Sequence, residues 1–233
     1  MQNSANNGLS TAPAVVSELG KTGIAQSDIF PRVRDYVSQR MGEFDQISDE
    51  RKLQLNAIAS YVRTQTTAGR PAKLTFICTH NSRRSHMGQI WSAVAASFYH
   101  VAQVETFSGG TEGTAFNPRT VAAMERAGLT VKKIADGDNP LYEVRFQENG
   151  QPLVCFSKVY TESPNPKTDY CAVMTCSEAD AGCPVVTGAS VRIATPYEDP
   201  KVADNTADEA AKYDERSRQI CREMLYLFSE LDS

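Results

Sequence analysis

The stretch FICTHNSRRSHMG, residues 76–88, decides how the chain is read. An apolar run ends on Cys78, small polar residues follow, and Arg84 and Ser85 come six and seven positions later. Upstream, LTFIC reads as a short buried strand. Downstream, a helix from about Ser85 to His100 keeps Met87, Ile90, Trp91, Val94 and Phe98 on one side. A strand that hands a thiol to a helix amino-terminus puts it beyond the carboxyl end of a sheet, where open α/β folds bind ligands. The intervening residues Thr79, His80, Asn81, Ser82 and Arg83 leave room for backbone N–H groups to curl round an anion. Arg84 can grip two of its oxygens through a planar fork. Ser85 can donate to the sulfur, and Asn81 can tie the loop by its side chain. The same positive surroundings favour the thiolate, the nucleophilic form. A buried strand cysteine beside surface arginines would give the same letters, but the flanking strand and helix favour the anion loop.

Working outward, strands alternate with helices. VETFSGG and then YCAVMTC and VRIAT read as strands, and NPRTVAAMERAGL as a helix with Pro118 in its first turn and Gly128 at its end. A closing helix opens on a capping box of Thr206 with Glu209 and turns Tyr213, Ile220, Met224, Leu227, Phe228 and Leu231 inward. This alternation predicts an α/β fold with a parallel sheet covered on both faces by helices. Two segments stand apart. LYEVRFQENGQPLVCFSKVY has strand-like runs around Asn149-Gly150 and predicts an inserted β-hairpin at about 140–162. Before residue 71, two helices are expected: one with Ile29, Val33, Tyr36, Val37 and Met41 inward, the next capped by Ser48 with Leu53, Leu55, Ile58, Ala59 and Val62 inward. Residues 1–70 are thus expected as a helical extension and 71–233 as the main domain. The polar first dozen residues are expected to be disordered, and LGKTG near Gly20 lacks the earlier glycine of a nucleotide loop.

With 233 residues, 41% of them hydrophobic, the chain can bury a proper core, and a net charge of −4 argues against nucleic-acid binding by a basic surface. No apolar run approaches the roughly 20 residues of a membrane span, and the start has no export-signal pattern. The expected home is therefore the cytoplasm, where the six cysteines are free, catalytic or redox thiols rather than a disulfide framework.

A thiolate attacking phosphorus needs its leaving oxygen protonated, so a carboxylic acid should face the loop. TPYEDPKV offers Asp199, restricted by Pro200, with Glu198 as the competing carboxylate and a plain turn as the alternative. VMTCSEADAGCPVV places Cys176 and Cys183 seven residues apart. If SEADAG is helical, their Cα atoms lie about 10 Å apart, beyond the roughly 4.4–6.8 Å a disulfide spans. Pairing them would require unwinding, which Gly182 and Pro184 ease. Packing cysteines, or zinc ligands together with Cys171 and a histidine, are the other readings, although zinc pairs are usually more tightly spaced. Cys155, Cys171 and Cys221 read as packing residues.

CTHNSRRS resembles the phosphate-binding loop of low-molecular-weight protein tyrosine phosphatases and of the thioredoxin-coupled arsenate reductases that share their fold. The segment SGGTEGTAFNPRTVAAMERAGL and the Asp199-Pro200 pair are similar to that family too, from about Lys73 to the C-terminus. His80 stands where the family has glycine, and Arg83 where it often has a second cysteine. The resemblance implies a four-stranded parallel sheet flanked by helices, the phosphotyrosine phosphatase I-like fold, and needs no metal or organic cofactor. Cys176 and Cys183, with the following proline, resemble the redox pair of the reductases. On that likeness the leading expectation is arsenate reduction. Cys78 attacks arsenic and Asp199 protonates the departing oxygen; Cys176 then attacks Cys78 to release arsenite, and Cys183 resolves the disulfide for thioredoxin. The alternative is hydrolysis of phosphomonoesters by Cys78, Arg84 and Asp199 through a cysteinyl-phosphate. A third is an oxyanion-binding or interaction module served by the N-terminal helices. No nucleic-acid or membrane partner is expected.

Overall fold

Alternate residues of two neighbouring strands sort the core into two layers. In β1 (Ala72–Cys78), Leu74 and Phe76 join a large apolar cluster while Ile77 joins a smaller one. In β6 (Tyr170–Met174), Cys171 and Val173 join the large cluster, and Tyr170, Ala172 and Met174 the smaller. This is the period-two alternation of a sheet buried on both faces. The computed structural model describes residues 28–182 and 185–231. The polar first dozen residues, the LGKTG segment and Cys183 lie outside the described residues.

The sheet runs β2-β1-β6-β7, with β2 spanning Val104–Gly110 and β7 Ala189–Ala194, and every pair is parallel. It is the predicted four-stranded parallel sheet flanked by helices. Parallel neighbours require crossovers. The connection from β1 runs through α3 (Arg84–Phe98) to β2 on one side, and β6 adds on the other side of β1. Strand order therefore reverses between β1 and β6, and the crevice at their carboxyl ends is the switch point at which ligands bind in such sheets.

The larger cluster lies under helices. α3 turns Met87, Ile90, Trp91, Val94 and Phe98 inward as expected, with α6 (Glu209–Ser229) packed against it. Trp91 stacks on Tyr36 at 5.3 Å and donates to Ser217 Oγ at 3.0 Å. The N-terminal helices α1 (Pro31–Met41) and α2 (Asp49–Thr67) share this core: α1 packs on α6, while α2 packs on α6, β1 and β7. Ser48 caps α2 through Arg51 N at 3.3 Å, as its position predicts. Leu53 departs from expectation. It is 71% exposed, whereas Leu55, Ile58, Ala59 and Val62 are buried. The last four fall on one stripe at helical spacing, and Leu53 lies off it. Among the described residues no helix is long and apolar enough to cross a membrane.

Three other local expectations change. The strands around Asn149-Gly150 form, as β4 (Leu141–Arg145) and β5 (Leu153–Cys155), but not through a two-residue turn. Their connection is captured by the chain's first described residues: Phe30 N donates to Phe146 O and Glu148 N to Asp28 O. On the far side of β4, β3 (Thr130–Ala135) adds an antiparallel strand that the sequence did not announce, since its residues are almost all exposed. The capping box is displaced. Thr206 Oγ1 accepts from Asp208 N at 3.2 Å and Glu209 reaches Asn205 N at 2.6 Å, so Asp208 becomes the residue that opens α6.

Leu55→Ala should lower unfolding stability by about 2–5 kcal/mol, and Leu53→Ala should stay within about 0.5 kcal/mol, measured by urea denaturation.

Candidate active site

The loop after β1 is held by its carbonyls. Cys78 O accepts from Thr111 N at 3.0 Å, and Thr79 O accepts from Glu112 N at 2.9 Å. His80 O takes the hydroxyls of Ser157 and Thr114, at 2.9 and 3.1 Å, and Ser82 O takes Asn117 N at 3.0 Å. With these carbonyls directed to residues 111–117 and 157, the N–H groups on the other side of the peptides are left to the cup. α3 adds to them, because Arg83, at its N-cap, offers no side-chain cap to its first turn. Unsatisfied helix N–H groups and the helix dipole both favour an anion there.

The loop's left-handed residue is Asn81, at φ 44°, a conformation asparagine tolerates better than most. Its Oδ1 accepts from Lys158 N at 2.9 Å, and its Nδ2 donates to Ser85 Oγ at 2.9 Å. That leaves the Ser85 hydroxyl proton for Cys78 Sγ, 3.1 Å away. Cys78 is 3% exposed, at the floor. Gly110, paired with Cys78 across β1 and β2, lies directly beneath: a Cβ there would come within 2.6 Å of Thr79 O and 2.7 Å of Asn81 N. Only glycine lets the loop sit this low.

Arg84 crosses the mouth. Nη1 donates to Tyr197 O at 2.9 Å and Nη2 to Asp199 Oδ2 at 2.8 Å, while the buried Nε has no protein acceptor. Asp199 keeps Oδ1 on Lys201 N at 3.0 Å, so it opens the short turn Pro200–Ala203. Glu198, the competing carboxylate, pairs with Arg216 instead. Arg83 turns outward. Its Nε reaches Tyr213 OH at 3.2 Å and lies 3.6 Å from Asp199 Oδ1. Thr79, His80, Arg84, Glu178, Asp199 and Lys201 line an open cleft of about 500 Å³, with His80 paired to Glu112 at 3.1 Å on its rim.

Cys176 comes two residues after β6 and Cys78 ends β1, and both sulfurs belong to the smaller apolar cluster. Cys176 Sγ is fully buried, 3.5 Å from Thr79 Oγ1, and accepts from Ala179 N in α5 (Ser177–Gly182) at 3.4 Å. Cys155, Cys171 and Cys221 are buried in the larger cluster. Burial pushes the first two thiols up to about 12 and holds Cys221 well above the usual thiol range.

The structure thus brings Cys78, Asn81, Arg84, Ser85, Asp199 and Cys176 to one end of the sheet. Several contributors were not legible in the sequence. Ser157 and Lys158 brace the loop from the segment after β5, and Tyr197 holds Arg84 through a main-chain oxygen. Arg51 of α2 holds the acid loop by donating to Pro196 O at 2.6 Å, with its guanidinium over the Tyr197 ring. Such contacts join distant stretches through backbone atoms, which leave no residue-type signal. His86 is wholly buried behind the loop, against the Asn81 backbone and Ser108 Oγ; burial first, then the charge of Lys158, holds it well below the usual histidine range.

No protein-family profile matches the chain, and no curated protein sequence matches it. Among solved structures it is similar to a low-molecular-weight phosphotyrosine phosphatase from Vibrio cholerae O395, with 12% identity over 68% of this chain and 95% of that one, TM-score 0.46. It is also similar to a mutant of YwlE from Bacillus subtilis, with 12% identity over 70% and 99% of the two chains, TM-score 0.45. A third is the YwlE arginine phosphatase with a phosphorylated active-site serine, with 11% identity over 68% and 95%, TM-score 0.44. Likeness of this degree says nothing about this chain's activity.

Two measurements check the site. Gly110→Ala should displace the loop after Cys78, read as faster hydrogen exchange of its amides while circular dichroism stays that of the parent. Lys158 is 3% exposed, and burial pushes its ammonium down to about 8. The unfolded chain therefore binds the extra proton above that pH, and stability should rise between about pH 8 and the ordinary lysine range. Lys158→Met should remove this rise in urea titrations.

Proposed function

We propose that the protein is a phosphomonoester hydrolase that works through a cysteinyl-phosphate on Cys78. The observation that carries this reading is the closed constellation at one sheet end: Cys78 Sγ 3.1 Å from Ser85 Oγ, and Arg84 joined to Asp199 at 2.8 Å across the mouth. The phosphoryl oxygens of a dianionic ester lie among the N–H groups of residues 79–85, with Arg84 as the cationic partner. The Cys78 thiolate attacks phosphorus. Asp199, which takes a proton from solvent once the phosphoryl group has claimed Arg84, gives that proton to the leaving oxygen as the P–O bond breaks, and the alcohol departs. Asp199, now a carboxylate, takes a proton from water as that water attacks the cysteinyl-phosphate, and inorganic phosphate leaves. On this reading residues 71–233 form the catalytic domain, with the hairpin region about 140–162 bracing the anion loop through Ser157. Residues 1–70 precede that domain as an extension, whose helix α2 steadies the acid loop through Arg51. The free thiols suit a reducing compartment, the cytoplasm.

Cys176 favours a second reading, arsenate reduction. Its sulfur neighbours the residue next to Cys78 and shares one apolar cluster with it. Cys78 would displace water from arsenate, and Cys176 would then attack the Cys78 sulfur, sending two electrons to arsenic and releasing arsenite. The Cys78–Cys176 disulfide would pass to Cys183 and then be reduced by thioredoxin. This reading asks more of the chain, because Cys176 is fully buried and holds the start of α5.

Aryl phosphate hydrolysis and thioredoxin-dependent arsenite formation, assayed side by side, separate the two. Cys78→Ser should abolish hydrolysis, and Cys176→Ala should leave it within about threefold of the parent. Arsenite formation that depends on Cys176 and outpaces hydrolysis would reverse the order. Asp199→Asn should lower kcat by about 10²–10⁴-fold while tightening inhibition by inorganic phosphate, since the resting carboxylate no longer competes for Arg84.

A further inference from the structure

We infer that Arg83 is a positioning residue for the acid, not a ligand of the substrate; this rests on the phosphatase reading above. Its neighbour Arg84 lines the cleft beside Asp199, whereas Arg83, 8% exposed, directs Nε to Tyr213 OH on α6. Its guanidinium is fixed from behind by a chain of polar contacts. Asp204 Oδ1 accepts from Tyr213 OH at 2.8 Å, and Tyr213 OH accepts from Arg83 Nε at 3.2 Å. Tyr213 is itself fully buried on α6, which ties this chain to the rigid helical layer. From there Arg83 Nε lies 3.6 Å from Asp199 Oδ1, the oxygen already bound by Lys201 N.

The two carboxylate oxygens therefore have different fates. Oδ1 accepts from Lys201 N and faces the charge of Arg83, whose Nε hydrogen goes to Tyr213 OH. Oδ2 has Arg84 Nη2, the donor that a bound phosphoryl group claims. When substrate takes Arg84, Oδ2 is released and Oδ1 is not. Arg83 thereby decides that Oδ2 carries the proton to the leaving oxygen. A cysteine at this position would supply no such contact, so the arginine gives the loop an acid-orienting role in place of a second thiol.

Acid assistance matters most when the departing oxygen is basic. Phenyl phosphate needs the proton, and 4-nitrophenyl phosphate, whose departing anion is stable, needs it little. Arg83→Met and Tyr213→Phe are compared with the parent on both esters, with inorganic phosphate as competitive inhibitor. Arg83→Met should lose about tenfold more kcat on phenyl phosphate than on 4-nitrophenyl phosphate, with the phosphate inhibition constant unchanged. Arg83→Lys should recover part of that difference, and Tyr213→Phe should show a smaller loss in the same direction. Equal losses on the two esters, or weakened phosphate inhibition, would overturn the assignment. Asp199→Asn supplies the control. If it shows the leaving-group dependence and neither Arg83→Met nor Tyr213→Phe does, only the role of Arg83 falls. If the parent hydrolyses neither ester, or Cys78→Ser still does, the phosphatase reading falls with it.

Discussion

The hydrogen bonds that turn the carbonyls of Cys78, Thr79, His80 and Ser82 away from the cup are the constraint from which the site follows. A peptide whose C=O is fixed on one side presents its N–H on the other, so the donors on residues 111–117 and on Ser157 set the direction of the amides. Placing those donors requires β2 to run beside β1 in parallel register, Cys78 opposite Gly110, and the chain to turn back over the loop immediately afterwards. The missing side chain at Gly110 lets the two layers close. Sheet order, one glycine and a ring of outward carbonyls together fix the shape of the loop.

Strand and helix around Cys78 were readable because they combine two strong signals: an apolar run of strand length and an amphipathic helix that follows it. Asp199 was readable through its proline. The brace at Ser157 and Lys158 was not, since it works through a hydroxyl and a main-chain N–H some 77 residues from their partners. β3 was hidden for a different reason. Its surface is nearly all exposed, so burial imposed no alternating pattern on Thr130–Ala135. Leu53 misled because an exposed leucine on a helix looks like a core leucine until the stripe beside it is fixed.

Arg83 shows where a motif reading stops. Its place in the loop suggests contact with the bound anion, yet adjacent residues at a helix start point in divergent directions, and only one of two arginines can face the cup. Arg84 faces it; Arg83 is carried round toward α6. The N-terminal helices likewise read as an appendage in sequence, but α2 places Arg51 against Pro196 and Tyr197, three and two residues before Asp199. Arg51 of α2 and Arg84 of α3 hold the acid loop from two helices, while Thr175 O accepts from Tyr197 N at 3.1 Å.

At rest, Asp199 Oδ2 already holds Arg84 Nη2, while Nη1 is on Tyr197 O. An incoming ion must outcompete a carboxylate for the same cation, and an acceptor bearing one diffuse negative charge has little advantage over the incumbent. A group with two concentrated charges does. On the proposed hydrolase reading, that ion pair would favour a doubly charged ester over a singly charged one already at the step of binding.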